Sequence, residues 1–304
     1  MALKKLPGIL LGDREVRILI FLWKWKLVSN AALASKRFFP NAGQVRAYNR
    51  LLDMRHADLI EFRYDGKLQN FAWTLSKKGF SAIREYLPEL REEGFKSENF
   101  EHDLLVTMFH LGDWLIEHPN NLHVFTEQEL RRLAFHEYPA WVPRTDLHRP
   151  DGYFGFTDGD KVISVAVEIE FNRKAPVAYE GVGEFYSDLP DVHRVIWLVP
   201  NIDSAKRIQK KIKESVPTRN NIHNFVLIND FRKQGWQSPI AIGPDANKNV
   251  RQFLSTVPRR KGVESTWNAT TPLLLNTRRS YVKSAVKATS STGSQAQLPM
   301  AKHP

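Results

Sequence analysis

Between residues 44 and 75 the pattern of apolar side chains changes its period from about 3.6 residues to two, and few folds accommodate such a switch in so short a span. From Gln44 to about Ala57, Val45, Tyr48, Leu51 and Leu52 fall on one side of a helix, and Arg46, Asn49, Arg50 and Asp53 form the opposite stripe. Two β-prone runs follow at once, Leu59 to Tyr64 and Leu68 to Leu75, around Asp65-Gly66, a dipeptide suited to the backbone of a tight hairpin. Upstream, Val16, Leu19, Ile20, Trp23 and Leu27 recur three or four residues apart, with Asp13 as the expected N-cap. Ser29 or Asn30 can cap a short helix through Ala31, Ala32, Leu33 and Ala34, and Pro40, Asn41 and Gly43 make a turn. Downstream, Ser76 caps a helix through Phe80, Ile83 and Leu87 that Pro88 helps to end. Helix, helix, helix, hairpin, helix is the order of a winged helix-turn-helix, expected over residues 1–96.

In such a unit the third helix is the natural reader of a DNA groove. An α-helix fits the major groove, and Gln44, Arg46, Asn49 and Arg50 are donor-rich residues that address base edges or phosphates. Arg63 and Lys67 on the hairpin, with Arg37 before the turn, are expected to clamp phosphates alongside. Double-stranded DNA is the expected partner. The charge distribution agrees: residues 1–96 hold 18 Lys and Arg against 10 Asp and Glu (+8), residues 97–254 hold 18 against 22 (−4), and residues 255–304 hold 8 against 1 (+7). A basic head and tail around an acidic middle suit a polyanion that touches the ends. The same charges also serve solubility, and a winged helix used for protein assembly is the alternative in which the basic stripe is only solvated.

The 304 residues, 42% of them hydrophobic, suffice for one or two cores, and two domains are expected. No apolar run is long enough for a membrane span, and the run at residues 9–11 is too short for a signal-peptide core, so a cytoplasmic, membrane-free location is expected. With no cysteine, disulfides, thiolate zinc sites and a cysteine nucleophile are excluded. There is no Gly-x-x-x-x-Gly-Lys-Ser/Thr loop for a nucleotide and no Gly-x-Ser-x-Gly elbow for a serine hydrolase, and Gly181 and Gly183 lack a third glycine. The ten histidines are scattered without a metal-type spacing, although His102, His110 and His118 share one helical register.

From Phe100 a new core begins, with Leu104, Leu105, Met108, Leu111 and Leu115 on the apolar side of a helix. Val124 and Phe125 lead as a strand into Thr126, whose spacing to Glu129 makes a capping box for a helix through Leu130 and Leu133. A long loop reaches Arg149-Pro150-Asp151-Gly152, then a strand from Tyr153 to Phe156, the turn Asp158-Gly159-Asp160 and the strongest strand, Val162 to Phe171, read together as an antiparallel hairpin. A helix around Tyr179 to Leu189, a strand from Arg194 to Val199, a basic amphipathic helix from Ser204 to Val216 and a strand from Asn224 to Ile228 complete an α/β sandwich with a mixed sheet, expected over residues 97–254. Residues 255–304, with Arg259-Arg260-Lys261, Arg278-Arg279 and a Ser- and Gln-rich end, read as a basic, largely disordered tail.

Strand alternation places Val165, Val167, Ile169 and Phe171 on one face and Ala166, Glu168 and Glu170 on the other. Asp151, at the start of the preceding strand, can bring a third carboxylate to the same end of the sheet. Three gathered acids suit Mg²⁺ or Mn²⁺, with Asp151 and Glu168 as the expected ligands, and such an ion activates water and stabilises a phosphodiester transition state. The alternative is a non-catalytic polar network pairing Glu168 and Glu170 with Arg149, Arg173 and Lys174.

At these residues, Arg149-Pro150-Asp151-Gly152 followed by Val167-Glu168-Ile169-Glu170, the chain resembles the core of the PD-(D/E)xK nuclease fold, a restriction-endonuclease-like α/β sandwich. From Asp13 to Pro200 its organisation resembles the replication-relaxation proteins of plasmids and mobile elements. Four landmarks follow the winged helix in order: His102-Asp103-Leu104-Leu105, Thr126-Glu127, the Pro-Asp-Gly turn and the Glu-x-Glu strand. The resemblance implies a DNA-binding protein of replication, mobilisation or transcriptional control, with the α/β domain as a platform for dimerisation or for replication and mobilisation proteins. It alternatively implies a metal-dependent endonuclease in which Asp151, Glu168, Glu170 and Lys174 are catalytic. An active nuclease of that fold carries lysine two residues after the second acid; Glu170 stands there, and Lys174 in the following loop is the nearest substitute.

Overall fold

The computed structural model describes residues 4–6, 9–35, 37–65, 70–112, 122–158, 161–217 and 221–256. The expectations for Lys67, Leu115 and His118, for the turn residues Gly66, Gly159 and Asp160, and for the tail from residue 257 lie outside the described residues.

A hairpin of β1 (Lys4–Leu6) and β2 (Ile9–Leu11), not anticipated, leads into α1 (Asp13–Trp25). Gly12, not Asp13, is the N-cap of α1: its backbone is extended, and Glu15 reaches back to accept its N–H at 3.1 Å. Asp13 is already helical, within the first turn, where a carboxylate meets the positive end of the helix dipole. After α2 (Asn30–Leu33), capped by Ser29, comes α3 (Gln44–His56). An antiparallel pair follows, β3 (Ile60–Asp65) with β4 (Asn70–Leu75), and then α4 (Lys77–Ile83), capped by Ser76. A bridge between Val28 and Trp73 ties the hairpin to the α1–α2 junction.

The packing of α3 corrects the face assigned from sequence. Its buried residues are Ala47, Leu51 and Met54, whereas Val45 is 75% and Tyr48 39% exposed. Spaced four and three apart, Ala47, Leu51 and Met54 form the stripe that joins the core shared with α1, β3 and β4. Val45 lies beyond that stripe and turns outward beside Arg46.

The rest of the described chain is built on one six-stranded mixed sheet. Its elements run α5 (Phe100–Leu111), β5 (Leu122–Thr126), α6 (Glu127–Arg132), β6 (Gly152–Asp158), β7 (Lys161–Ile169), α7 (Pro176–Ser187), β8 (Val192–Val199) and α8 (Ile202–Ser215). They end with β9 (His223–Leu227), α9 (Ile228–Gln234), β10 (Ile240–Ile242) and α10 (Val250–Ser255). In the order β10-β9-β8-β7-β6-β5, the three strands β5, β6 and β7 are antiparallel neighbours, β7, β8 and β9 run parallel, and β10 pairs antiparallel with β9. The Thr126–Glu129 capping box forms as the spacing requires. Met108 is exposed, and α5 instead buries Leu104, Leu105, Val106, Phe109, His110 and Leu111, so it is covered on more than one side.

Alternation along β7 divides the core. Val165, Val167 and Ile169 join residues of α5, α9 and α10 on one face of the sheet. Ala166 belongs with Tyr179, Tyr186 and the apolar side of α8 on the other, in a cluster continuous with the core of the N-terminal helices. The result is mixed α/β, with helices on both faces of the sheet, and among the described residues no helix is long and apolar enough to cross a membrane.

Candidate functional site

Two surfaces gather the chemistry-bearing residues. The first is the outer side of α3. With Ala47, Leu51 and Met54 turned inward, Gln44, Arg46 and Asn49 are all exposed. Arg50 is not available in the same way. Its Nε donates to Glu15 Oε1 at 3.0 Å and its Nη1 lies 3.7 Å from Asp53. Burial would raise the Glu15 pKa, but Arg14 and Arg50 hold it below the usual carboxylate range. Arg50 is therefore a strut between α1 and α3. Arg37 stacks its guanidinium on the rings of Phe21 and Phe38, at 5.0 and 5.9 Å from their centroids. Arg63, on the hairpin, is exposed and reaches the Ser97 carbonyl at 3.4 Å.

The second surface lies where β6 begins and β7 ends. Antiparallel register sets Gly152 opposite Val167, so Asp151 comes beside Glu168, and the Asp151 N–H donates to the Val167 carbonyl at 2.9 Å. Glu168 and Glu170 are buried, at 6% and 5% exposure. The three acids expected together are thus at one end of the sheet, and each is already engaged. Asp151 Oδ2 accepts the Ile169 N–H at 2.6 Å, and its Oδ1 lies 3.1 Å from His102 Nε2. Glu168 Oε1 accepts from the Tyr186 hydroxyl at 2.5 Å and lies 2.6 Å from His148 Nε2. Glu170 Oε2 meets Lys174 Nζ at 3.0 Å. Of the network partners expected from sequence, Lys174 takes its place, whereas Arg149 turns to Asp146 at 3.9 Å and Arg173 is exposed.

The electrostatics follow from this closure. Burial would lower the pKa of His102, but hydrogen bonds to Asp103 and Asp151 raise it to about 10, so the imidazole is a cation near neutral pH. Burial, with help from Glu168, pushes Asp151 upward against the pull of that cation. His148 is likewise raised by Glu168 despite burial. Burial raises Glu170 although Lys174 opposes it, and Glu170 in turn raises Lys174 against burial. A further cation comes from the N-terminal part: Lys26 Nζ lies 2.8 Å from Asp103 Oδ1 and 2.6 Å from Glu127 Oε2. A continuous chain therefore runs from Lys26 through Asp103 and His102 to Asp151.

Mg²⁺ or Mn²⁺ would require several of these oxygens to turn toward one point. Both Asp151 oxygens and the engaged Glu168 oxygen already face donors of this chain, and among the described residues no three His, Asp or Glu side chains are disposed to hold a metal ion. As folded, the cluster is closed by donors of this chain and does not fit a divalent ion. His102 was readable only as part of a short motif, and the roles of His148, Tyr186 and Lys26 left no local signal, because their partners lie 20, 18 and 77 residues away.

His110, in the same helical register as His102, is a core residue. Its Nδ1 faces the Val106 carbonyl at 2.9 Å, and burial drops its pKa to about 4. Comparison with protein-family models, with curated proteins and with solved structures finds no match to this chain.

Proposed function

We propose that the chain binds double-stranded DNA, its N-terminal helices and β3–β4 hairpin acting as a winged helix-turn-helix with α3 in the major groove. The observation that carries this reading is the inward stripe of Ala47, Leu51 and Met54, which leaves Gln44, Arg46 and Asn49 together on the solvent side of one helix. Arg63 on the adjacent hairpin supplies a phosphate contact, and the +8 charge of residues 1–96 supports the same partner. The α/β unit acts as a platform for a second copy or for partner proteins in the replication, mobilisation or transcriptional control of a plasmid or mobile element, the role that the sequence resemblance implies. Its closed acidic cluster favours holding over cutting.

The test is fluorescence anisotropy on a mixed-sequence duplex over a range of salt. Arg46→Ala with Arg63→Ala is expected to weaken binding and to reduce the salt slope by roughly one for each phosphate contact removed. Equal affinity and slope in wild type and variant would point instead to a winged helix used for protein assembly.

The second reading, a metal-dependent endonuclease of restriction-endonuclease-like architecture, is favoured by one observation. The order α5, β5, α6, β6, β7, α7, β8 sets Asp151 and Glu168 side by side at one sheet end, the placement of two acids that this reading needs. Nicking of supercoiled plasmid in Mg²⁺ or Mn²⁺, abolished by Asp151→Asn or Glu168→Gln, would establish it over the first.

A further inference from the structure

The β3–β4 pair has an aromatic face whose burial fades from Ile60 and Leu75 outward to Tyr64 and Phe71. Its register stacks three cross-strand pairs on that face: Ile60 with Leu75, Phe62 with Trp73, and Tyr64 with Phe71. At the root, Ile60, Leu75 and Trp73 are buried in the core. Beyond it, Tyr64 is 54% and Phe71 52% exposed. The rings form a continuous ladder: Trp73 to Phe62 at 4.8 Å, Phe62 stacked on Phe71 at 5.0 Å, and Phe71 to Tyr64 at 4.6 Å. Tyr48 extends it onto α3, 6.4 Å from Trp73, and Val45 lies exposed one turn earlier.

Rings half open to water at the end of such a ladder contribute little to the core, and large exposed apolar groups that are contiguous mark binding surfaces. The groups beside them indicate what is bound. Gln44, Arg46 and Asn49 share the exposed turns of α3 with Val45 and Tyr48, and Arg63 stands on the opposite face of the same strand, with Glu61 and Asp65 as its acidic neighbours. π-Faces flanked by guanidinium and amide donors, in a segment of net charge +8, complement a ligand that is flat, aromatic and anionic.

We propose that the exposed rings of Tyr64 and Phe71 on β3 and β4 are a stacking platform for unpaired nucleobases, so that the chain prefers DNA with an open or single-stranded segment to fully paired duplex. Tyr64 and Phe71 provide the stacking faces, and Arg46 on α3 holds the phosphates of the strand entering the platform. This rests on the reading of the N-terminal unit as DNA-binding. The preference itself comes from the aromatic face, which a groove-reading helix does not require.

The experiment compares three fluorescent probes of one sequence on the full chain: a blunt duplex, the same duplex with a central mismatched bubble, and the single strand. Wild type is expected to bind bubble and single strand about ten-fold more tightly than blunt duplex. Tyr64→Leu with Phe71→Leu keeps apolar area but removes the π-faces. It is expected to lose that ten-fold preference with duplex affinity unchanged, and Tyr64→Trp with Phe71→Trp is expected to keep it. Wild-type binding to duplex without preference for unpaired DNA would overturn the stacking platform and leave the duplex-binding reading intact. No binding to any probe would overturn both. A dimer in sedimentation that the Leu variant converts to monomer would show the face to be a protein interface and would also overturn the proposal.

Discussion

Lys26 Nζ lies 2.8 Å from Asp103 Oδ1, an ion pair joining the end of α1 to the first turn of α5 across 77 residues of sequence. Both side chains are largely buried, and Lys26 sits in a backbone conformation with φ of 57°, which non-glycine residues seldom adopt. Its ammonium also meets Glu127, so one cation neutralises two carboxylates and couples the N-terminal helices to the acidic cluster.

Removing that cation leaves two carboxylates with less compensation in a poorly hydrated place. Lys26→Met is expected to destabilise the fold by about 3 kcal/mol, because breaking a buried pair exposes the desolvation of the partner left behind. Chemical denaturation checks this. A loss below about 1 kcal/mol would mean that water reaches Asp103 and Glu127.

Arg46 and Arg50 are both arginines of α3, yet the structure separates their effects. Arg50→Ala removes the strut to Glu15 and is expected to cost about 1 to 2 kcal/mol of stability. Arg46→Ala, on the exposed side, is expected to leave stability within about 0.5 kcal/mol of wild type while weakening DNA binding. Thermal melts and anisotropy on the same samples distinguish the two.

Two histidines bend the pH profile of stability in opposite senses. His102 has its pKa raised to about 10, so its contribution is complete below the unfolded value of about 6.5 and is lost as pH climbs toward 10. His110 has its pKa lowered to about 4, so its contribution is complete above about 6.5 and is lost as pH falls toward 4. His102→Gln is expected to flatten the alkaline limb and His110→Gln the acid limb of a denaturation series against pH. If each variant only shifted the whole curve downward, these assignments would be wrong.

A cluster already closed by His102, His148 and Lys174 has no need of a metal ion. Adding Mg²⁺ or Mn²⁺, or removing divalent ions with a chelator, is expected to move the melting temperature by less than about 1 °C. An ion at a hundred times its Kd would stabilise the fold by about 2.7 kcal/mol. A melting shift of that size, lost in Asp151→Asn, would return the endonuclease reading to the front.

Gly152 carries φ of 149°, and a side chain there would meet His110 Nε2 at 2.5 Å and the Phe125 carbonyl at 2.9 Å. Gly152→Ala is expected to destabilise by 2 kcal/mol or more, roughly, through strain and clash together. It should also displace the adjacent Asp151 from His102, seen as a fall in the His102 pKa by NMR titration.

The order of elements from α1 to β9 was legible in the sequence because its signals are local, whereas the β1–β2 pair, α9, β10 and α10 were not read. The Thr126–Glu129 box, the Ser29 and Ser76 caps, the alternation through Val165, Val167 and Ile169 and the pairing of the two strands beyond Asp151 each depend on residues close along the chain, and each formed as read. What only the tertiary structure decided are the facts that depend on distant partners. Which side of α3 faces outward was settled by Ala47, Leu51 and Met54 entering the shared core, so Val45 and Tyr48 were left in water. Which donors meet the carboxylates of Asp151 and Glu168 was decided by His102, His148 and Tyr186, which folding brings from other elements. Spacing along a strand determines which side chains share a face; the charge waiting opposite that face belongs to whatever the rest of the chain packs against it.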